Sequence, residues 1–538
     1  MSGPSLHRTV TTWVLLAAPT IAFASIDARM PLLSVHDFSE LNLVHWRVEQ
    51  GKPDPRNPLL EPEYPWDSGG VMAHGTVLRD PIDGKWKAWQ ISTPGEQALN
   101  GLEATHSSQR RLTYLESADG VSWTRPMMSL VKWPGHDRTN ILLDLDSGGT
   151  STYASVLVDA ANGEWPYEMF LMRAPKFGPT PDKVGHLPAP RRNRASYRYR
   201  SRDGKAWELV EGPIQPAPGG DVCYVYRQTN GSYVSYFKGS IKPEEYDHPS
   251  GGAVVVPPPG HRLVPYDNNP DLIRTVSRGE SSDGTNWSYI HDILAPDWRD
   301  PDDAQFIEIT PLAVPGGYIG FANAYHPAIQ TMDLQVVASR DGISWWRPDR
   351  RPALPNPPLG EYGGGMIWQM REPVIEGDKL HVYYCGVQGL HGEILDTRYG
   401  PRVPTQGGET VIGTKTPTLP FNGALCRATF ELDRLWALIP SAGGPTVGRA
   451  VTVDQPDIRD RQLELNVRTL RRGAVRVGLL DAEGRQVAGF GLEDCERVTG
   501  DHRRAVIRWK QGERAPTNAK RVVFELTNSL LYGFQFRP

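Results

Sequence analysis

Apolar and polar residues alternate along this chain in short runs ended by glycine turns. That is the pattern of strands with one buried face rather than of long amphipathic helices. One series of such turns runs VLRDPIDGKWKAW around Gly84, VLVDAANGEWPYEMF around Gly163, YVYRQTNGSYVSYF around Gly231, PLAVPGGYIGFA around Gly317 and PVIEGDKLHVYY around Gly377. A second series interleaves with it: SADGVSWTRP from Ser117, SRDGKAWELV from Ser201, SSDGTNWSYI from Ser281 and SRDGISWWRP from Ser339. In each Ser-x-Asp-Gly-x-x-Trp string the Asp-Gly reads as a hairpin tip, where glycine takes the positive φ of the turn. The Trp falls on the next strand as a hydrophobic anchor. The repeated string is therefore read as structural and given no chemistry. After the fifth inner hairpin, ALCRATFELDRLWAL (424–438) is a degenerate copy of the outer one. Two hairpins make a four-stranded sheet, and five in series predict an all-β, five-bladed β-propeller over residues 30–440. Past the linker SAGGPTVGRA, the alternation in RQLELNVRTL, AVRVGLLDAEGRQVAGF, HRRAVIRWK and KRVVFELTNSLLYGFQF predicts a C-terminal β-sandwich over 445–538. Its hairpin is at 481–484, and it is read as a brace for the propeller.

Composition agrees. A chain of 538 residues is too long for one core, and 54 Gly, 48 Pro, 16 Trp and 20 Tyr suit many turns and strands. A formal charge of −4 gives no electrostatic case for a nucleic-acid partner. The basic stretch RRNRASYRYRSR (191–202) alternates as one solvated strand face does. At the N-terminus, His7 and Arg8, an apolar run from Trp13 to Ala24 and the small-x-small Ala22-Phe23-Ala24 form a secretory signal over 1–24, predicting a secreted or periplasmic protein. No segment reaches the ~20 apolar residues of a membrane span. Cys223, Cys385, Cys426 and Cys495 lack metal-type spacing. Unpaired buried thiols are the expected state, and Cys385 and Cys426, in the same sheet, are the least implausible pair for a disulfide.

A propeller gathers the starts of its innermost strands at one mouth, so polar residues just before them converge. Asp67 and Asp146 each precede their turn glycine, Gly84 and Gly163, by 17 residues, and Asp221 precedes Gly231 by ten. The fourth sheet offers Asp300, Asp302 and Asp303 with Glu308, and the fifth offers Glu361. Carboxylates on one narrow axis repel and split their pKa values, which supplies the protonated and ionised pair that glycosidic cleavage needs. Trp66, Tyr362 and Trp368 are candidates to stack on a sugar ring, and His74, His326, Arg371 and His391 to donate hydrogen bonds to it. No Ser-His-Asp motif, phosphate loop or metal-ligand spacing stands out.

WDSGGVMAHGTVLRDPIDGKWKAW, LTYLESADGVSWTRP followed by NILLD, VVASRDGISWWRP and the C-terminal GFGLEDCERVTGDHRRAVIRWKQG…LYGFQF resemble secreted five-bladed propellers similar to the N-terminal domain of family 32 glycosidases. They are more distantly similar to family 43. The resemblance implies an exported glycoside hydrolase acting on an oligosaccharide or polysaccharide, for example at a terminal furanoside such as arabinofuranose or fructose. By position it implies Asp67 as nucleophile or base, Asp146 as stabiliser and Asp221 as acid, with Glu308 as the substitute acid. Two departures stand out: Trp66-Asp67-Ser68 replaces an Asn-Asp-Pro-type motif, and the acid position on the third blade holds Asp rather than Glu. No cofactor is required, and a structural Ca²⁺ on the axis is conceivable among so many oxygen ligands. The alternative function is a non-catalytic carbohydrate-binding propeller.

Overall fold

The computed structural model describes residues 32–94, 110–143, 150–174, 195–214, 222–241, 261–262, 273–301, 303–327, 329–390, 395–396, 402–405, 408–411, 423–441, 447–456 and 458–538. The expected leader, Asp146, Asp221, Asp302 and His391 lie outside them. Apart from one 3-10 turn at Val35–Asp37, the described secondary structure is strand and turn. No described helix is long and apolar enough to cross a membrane.

Three antiparallel four-stranded sheets follow one another: Gly70–Arg79 to Trp123–Thr124, Thr150–Val158 to Glu208–Ile214, and Cys223–Arg227 to Ser288–Leu294. A nine-stranded sheet comes next, and the single parallel pair Met332–Met366 divides it into two halves. One half runs Gln305–Val314, Gly317–His326, Thr331–Ser339 and Trp345–Trp346. In the other, Met366–Gln369 and Val374–Glu376 lie on Lys379–Val387, followed by Gly423–Glu431 and Lys52–Pro53. The first strand of each unit packs against the unit before it, and Gly70–Arg79 of the first unit packs against Met366–Gln369, Lys379–Val387 and Gly423–Glu431 of the fifth, so the arrangement is propeller-like. Buried apolar side chains fill the interior between sheets, among them Trp86, Tyr224, Tyr236, Phe306, Tyr325 and Tyr383.

The repeated Ser-x-Asp-Gly-x-x-Trp turn is built the same way four times. Ser117, Ser201, Ser281 and Ser339 each accept the N–H of the turn Asp and Gly. Asp119, Asp203, Asp283 and Asp341 each accept the two N–H groups that follow the glycine. The glycines hold φ of 71° to 82°. Each turn is also seized by the unit before it. Tyr383 Oη donates to Gly120 O at 2.6 Å, Trp89 Nε1 to Gly204 O at 2.6 Å, Arg198 Nη1 to Asp283 O at 3.0 Å and Tyr236 Oη to Gly342 O at 2.8 Å. The string repeats because the same seam between neighbouring sheets repeats.

The fifth unit departs from expectation. Gly423–Glu431 does not form a hairpin with the next strand; its outer neighbour is Lys52–Pro53, paired through Ala428–Pro53 and Thr429–Lys52. Trp436–Pro440 joins the C-terminal sheet instead, between Val44–Val48 and Arg521–Arg537. Phe38–Asn42 pairs with Gly448–Thr452 in that sheet, so by hydrogen bonding residues 38–48 and 436–440 belong with the C-terminal strands and not with the 30–440 segment. Two long strands, Gln462–Leu480 and Arg521–Arg537, pair along most of their length around a core of Leu465, Val477, Phe524, Trp509 and neighbours. The Asp481–Gly484 turn closes as expected, with Gly484 at φ 80°. Arg503 bridges to Glu431 at 2.9 Å and to Asp433 and Asp378 at 3.2 Å each, and Tyr532 Oη donates to Glu49 at 3.3 Å. These bonds tie the C-terminal sheet to the fifth unit.

The four cysteines are buried and free. Cys385 stands opposite Leu425, and Cys426 opposite Tyr384. Opposed residues share a face while sequence neighbours alternate, so Cys385 and Cys426 project to opposite sides of the sheet and no disulfide joins them. Burial pushes the Cys223 thiol up to about 12 and the Cys495 thiol up to about 11. A thiol reagent should therefore find none of the four in the native protein, and all four after unfolding without reductant. A count of two after unfolding would establish a disulfide.

A Cβ on Gly120 would meet Tyr383 Oη at 2.6 Å and the Trp86 ring at 2.8 Å, whereas one on Gly231 would meet nothing within 4 Å. Both glycines have positive φ. Gly231→Ala should cost roughly 1 kcal/mol for conformational strain alone. Gly120→Ala should cost clearly more, read as a larger drop in melting temperature.

Candidate active site

The innermost strands carry bulges where they approach the axis. In Gly70–Arg79 the register jumps from Met72 to Thr76, so Ala73, His74 and Gly75 stand against Gln90 alone. In Thr150–Val158 it jumps from Thr152 to Ala154, and in Gln305–Val314 from Phe306 to Ile309. Such extra residues bend a strand and re-aim a side chain. His74 and Tyr153 sit at the first two bulges with φ of 55° and 45°, and Glu308 lies within the third. Gly75 is fixed by contact: a Cβ there would lie 1.9 Å from the Trp89 carbonyl oxygen.

The His74 ring lies 4.3 Å from Tyr153 and 4.3 Å from Trp368, and Tyr153 lies 5.3 Å from Tyr224. Tyr224 Oη donates to the Gln369 carbonyl at 3.2 Å, and Tyr226 Oη to the Arg371 carbonyl. Arg371 Nε donates to Val225 O at 2.8 Å, and Nη1 to Val156 O at 3.2 Å and Glu372 Oε1 at 2.8 Å. Its backbone N–H reaches Gly75 O at 2.8 Å. The buried Arg371 thus fastens four units at the axis. Expected as a donor to substrate, it holds the sheets together with those N–H groups.

Glu308 differs from every neighbour. It is 0% exposed, and neither carboxyl oxygen has a hydrogen-bond partner among the described residues. Burial raises its pKa well above the ordinary 4.5, with only the charge of Lys238 pulling the other way. Its field reaches Tyr224 and Tyr226, whose hydroxyls burial also pushes far up. A buried carboxyl without partners destabilises a fold by several kcal/mol if ionised, so its surroundings favour the protonated form. Perturbed groups of this kind mark catalytic sites more often than structural ones.

The other expected residues are placed as follows. Trp66 is fully buried, stacked on Tyr64 at 4.8 Å, with its indole N–H on Asn140 Oδ1 at 2.8 Å. Its ring is packed against Tyr64, Trp133 and His136, which occupy the faces a sugar would need. Asp67 is 1% exposed and closes the preceding turn: Oδ1 accepts the N–H of Glu63 and Tyr64 at 2.8 and 2.7 Å, and Oδ2 faces Arg125 at 3.0 Å. Burial pushes its carboxyl up against the pull of Arg125. Glu361 sits in a turn beside a separate cavity of about 370 Å³, with Tyr362 and Tyr384. His74, Trp368, Arg371 and Glu308 are thus brought to one region, whereas Trp66, Asp67 and Glu361 are engaged elsewhere. Tyr153, Tyr224 and Tyr226 were missed; the alternation Tyr224-Val225-Tyr226 on an innermost strand was the available signal for two of them. Among the described residues no group of three or more His, Cys, Asp or Glu is placed to hold a metal ion.

His326 lies between two carboxylates at the end where the innermost strands begin. Nε2 is 3.1 Å from Asp333 and Nδ1 3.5 Å from Asp303. Burial alone would lower its pKa, but bonds and charge from Asp303 and Asp333 outweigh burial and hold it up at about 10.

No protein-family model matches the chain, and no curated protein matches it significantly. Among solved structures, one described as a glycoside hydrolase is similar at 12% identity, with a TM-score of 0.42 over 72% of this chain and 92% of that one. A structure from work on the GH130 family, reporting hydrolases that target β-1,2 mannosidic linkages in Candida mannan, matches at 14%, with a TM-score of 0.41 over 78% and 99%. An N-acetylgalactosamine deacetylase from F. plautii matches at 15%, with a TM-score of 0.40 over 73% and 96%. Likeness at this level carries no functional argument, so function rests on the side chains.

Stability from the His326 imidazolium is complete below about pH 6.5 and disappears as pH climbs through about 10. Asp333→Asn should make His326 titrate lower by about one pH unit or more in a side-chain NMR titration. An unchanged midpoint would mean that Asp333 does not hold the proton.

Proposed function

We propose that this protein is an exported glycoside hydrolase built on a five-bladed β-propeller with an appended β-sandwich. In this reading Glu308 is the general acid that protonates the leaving oxygen. The observation that carries it is the carboxyl itself: buried, unpartnered among the described residues, with its pKa pushed well up by burial and its charge felt at Tyr224 and Tyr226. The ionised partner is assigned by sequence position to Asp221 or Asp146, which precede the innermost strands of the third and second units. Asp67, locked to Arg125, is given the structural task of holding the first strand's entry turn. The substrate class is a terminal furanoside on an oligosaccharide or polysaccharide, and no organic cofactor is required. The alternative, a carbohydrate-binding propeller without catalysis, draws support from that same Asp67–Arg125 pair, since the carboxylate offered by sequence position as nucleophile is instead engaged by an arginine and two turn amides.

Glu308→Gln separates the readings. As the general acid, Glu308 contributes about 10²–10⁴-fold to rate, most on substrates with poor leaving groups. The variant should lose that factor on alkyl glycosides and less on activated aryl glycosides, and wild-type kcat/KM should fall as pH rises through the Glu308 pKa. Because the folded-state pKa is raised above 4.5, this group's contribution to stability declines as pH rises past that value. Glu308→Gln should therefore melt higher than wild type at pH 8, with the gap closing toward pH 4.5. Full activity in a variant that melts higher would remove Glu308 from the mechanism.

A further inference from the structure

At the opposite end of the axis, where the innermost strands finish, lies a cavity of about 970 Å³. Leu78, Val158, Arg227 and Leu312, from the ends of four innermost strands, line it, and Arg371 and Glu372 form its axial floor. Tyr226 and the Arg371 cross-ties separate it from Glu308. Its size is at the upper end of the roughly 300–1,000 Å³ of small-molecule sites.

Three carboxylate–guanidinium pairs face this space: Asp159 with Arg227 at 2.9 Å, Glu372 with Arg371 at 2.8 Å, and Glu168 with Arg198. The pairs come from different strands of the second, third and fifth units, and Val156, Val158, Pro373 and Val374 make the walls between them apolar. The Asp159 and Arg227 side chains remain 39% and 38% exposed, so this pair keeps acceptor lone pairs and N–H groups directed at solvent. Each acid already has its cation, and of the two further guanidinium groups on the lining Arg200 pairs with Glu208 at 3.2 Å while Arg79 donates to the Gly84 carbonyl at 3.2 Å, which leaves at most one excess positive charge to hold an anion. What paired carboxylates and guanidinium groups between apolar walls do recognise is a ligand with many hydroxyls and apolar C–H faces, where one hydroxyl can donate to the acid and accept from the base.

We propose that this cavity is a second binding site, for a neutral oligosaccharide of two to three units, on the other side of Tyr226 and the Arg371 cross-ties from Glu308 and not catalytic. The proposal does not require Glu308 to act as an acid; it concerns only what the far end of the axis holds.

The test uses the full chain carrying Glu308→Gln, so that no bond is broken during titration. The probes are neutral arabino-, fructo-, manno- and gluco-oligosaccharides of two to four units, followed by calorimetry. Arg227→Ala removes one partly exposed arm of the site, and Ala160→Trp places a ring at the exposed hairpin tip that lines the cavity. The expected result is that at least one probe binds and that each substitution weakens it tenfold or more. Turnover of an aryl glycoside by the corresponding variants with Glu308 intact should stay within about twofold of wild type. If no probe binds, or binding is unchanged by both substitutions, the second site does not exist, whatever the activity of Glu308. If binding is lost with the substitutions while wild type cleaves no glycoside, the second site stands and the hydrolase reading falls.

Discussion

The structure depends on a hydrogen bond that crosses from one sheet to the next. A Tyr, Trp or Arg on one unit donates to the carbonyl of the Asp-Gly turn on the following unit, from Tyr383 to Gly120, Trp89 to Gly204, Arg198 to Asp283 and Tyr236 to Gly342. The donor is buried or partly buried, so leaving the bond unmade would leave a polar group in an apolar seam. Positive φ at the glycine is required in the same place, because it turns the carbonyl toward the neighbour while removing the Cβ that would strike its ring. Turn chemistry and assembly of the ring are therefore one constraint. The first of these bonds, from the fifth unit to the first, closes the circle, and Lys52–Pro53 completes the fifth unit's edge.

Closing the ring fixes what the axis can contain. Innermost strands that meet around a narrow centre have room for few side chains, and three of them bulge to place His74, Tyr153 and Glu308 there. Most polar groups in this region serve the framework: Arg371 fastens the strands, while Gln369 donates to the Phe321 carbonyl at 2.7 Å and accepts from Thr310 at 2.9 Å. Against that background the unsatisfied Glu308 carboxyl is a local loss of stability that the fold tolerates. In the proposed function this unbonded carboxyl is what the site keeps for a substrate, since a group already satisfied by its neighbours has nothing left to give. The same reasoning moves Asp67 from chemistry to framework: its donors are the turn it closes and the arginine beside it.

The C-terminal strands are continuous with the ring rather than hung from it. Residues 38–48 enter that sheet before the chain reaches the first unit, and Trp436–Pro440 leaves the fifth unit to join it. Charged bonds from Arg503 and the packing of Trp46 on Trp346 at 5.4 Å fill the junction. This supports the bracing role, because separating the sheet would expose both edges of the chain's closure.

The sequence by itself determined the local elements: alternation set the strands, and Asp-Gly set the hairpin tips, because a turn's φ is a property of the residues in it. It also marked His74, Trp368 and Glu308 by their place on innermost strands. It did not determine which strand closes the fifth unit, since an edge accepts any strand that reaches it and Lys52–Pro53 is remote in sequence. It did not separate Cys385 from Cys426, because facing is decided by register across two strands. Nor did it tell Asp67 from Glu308. Both are acids the sequence assigns to the axis, and only packing decides that one meets an arginine and two turn amides while the other is enclosed with no hydrogen-bond partner among the described residues.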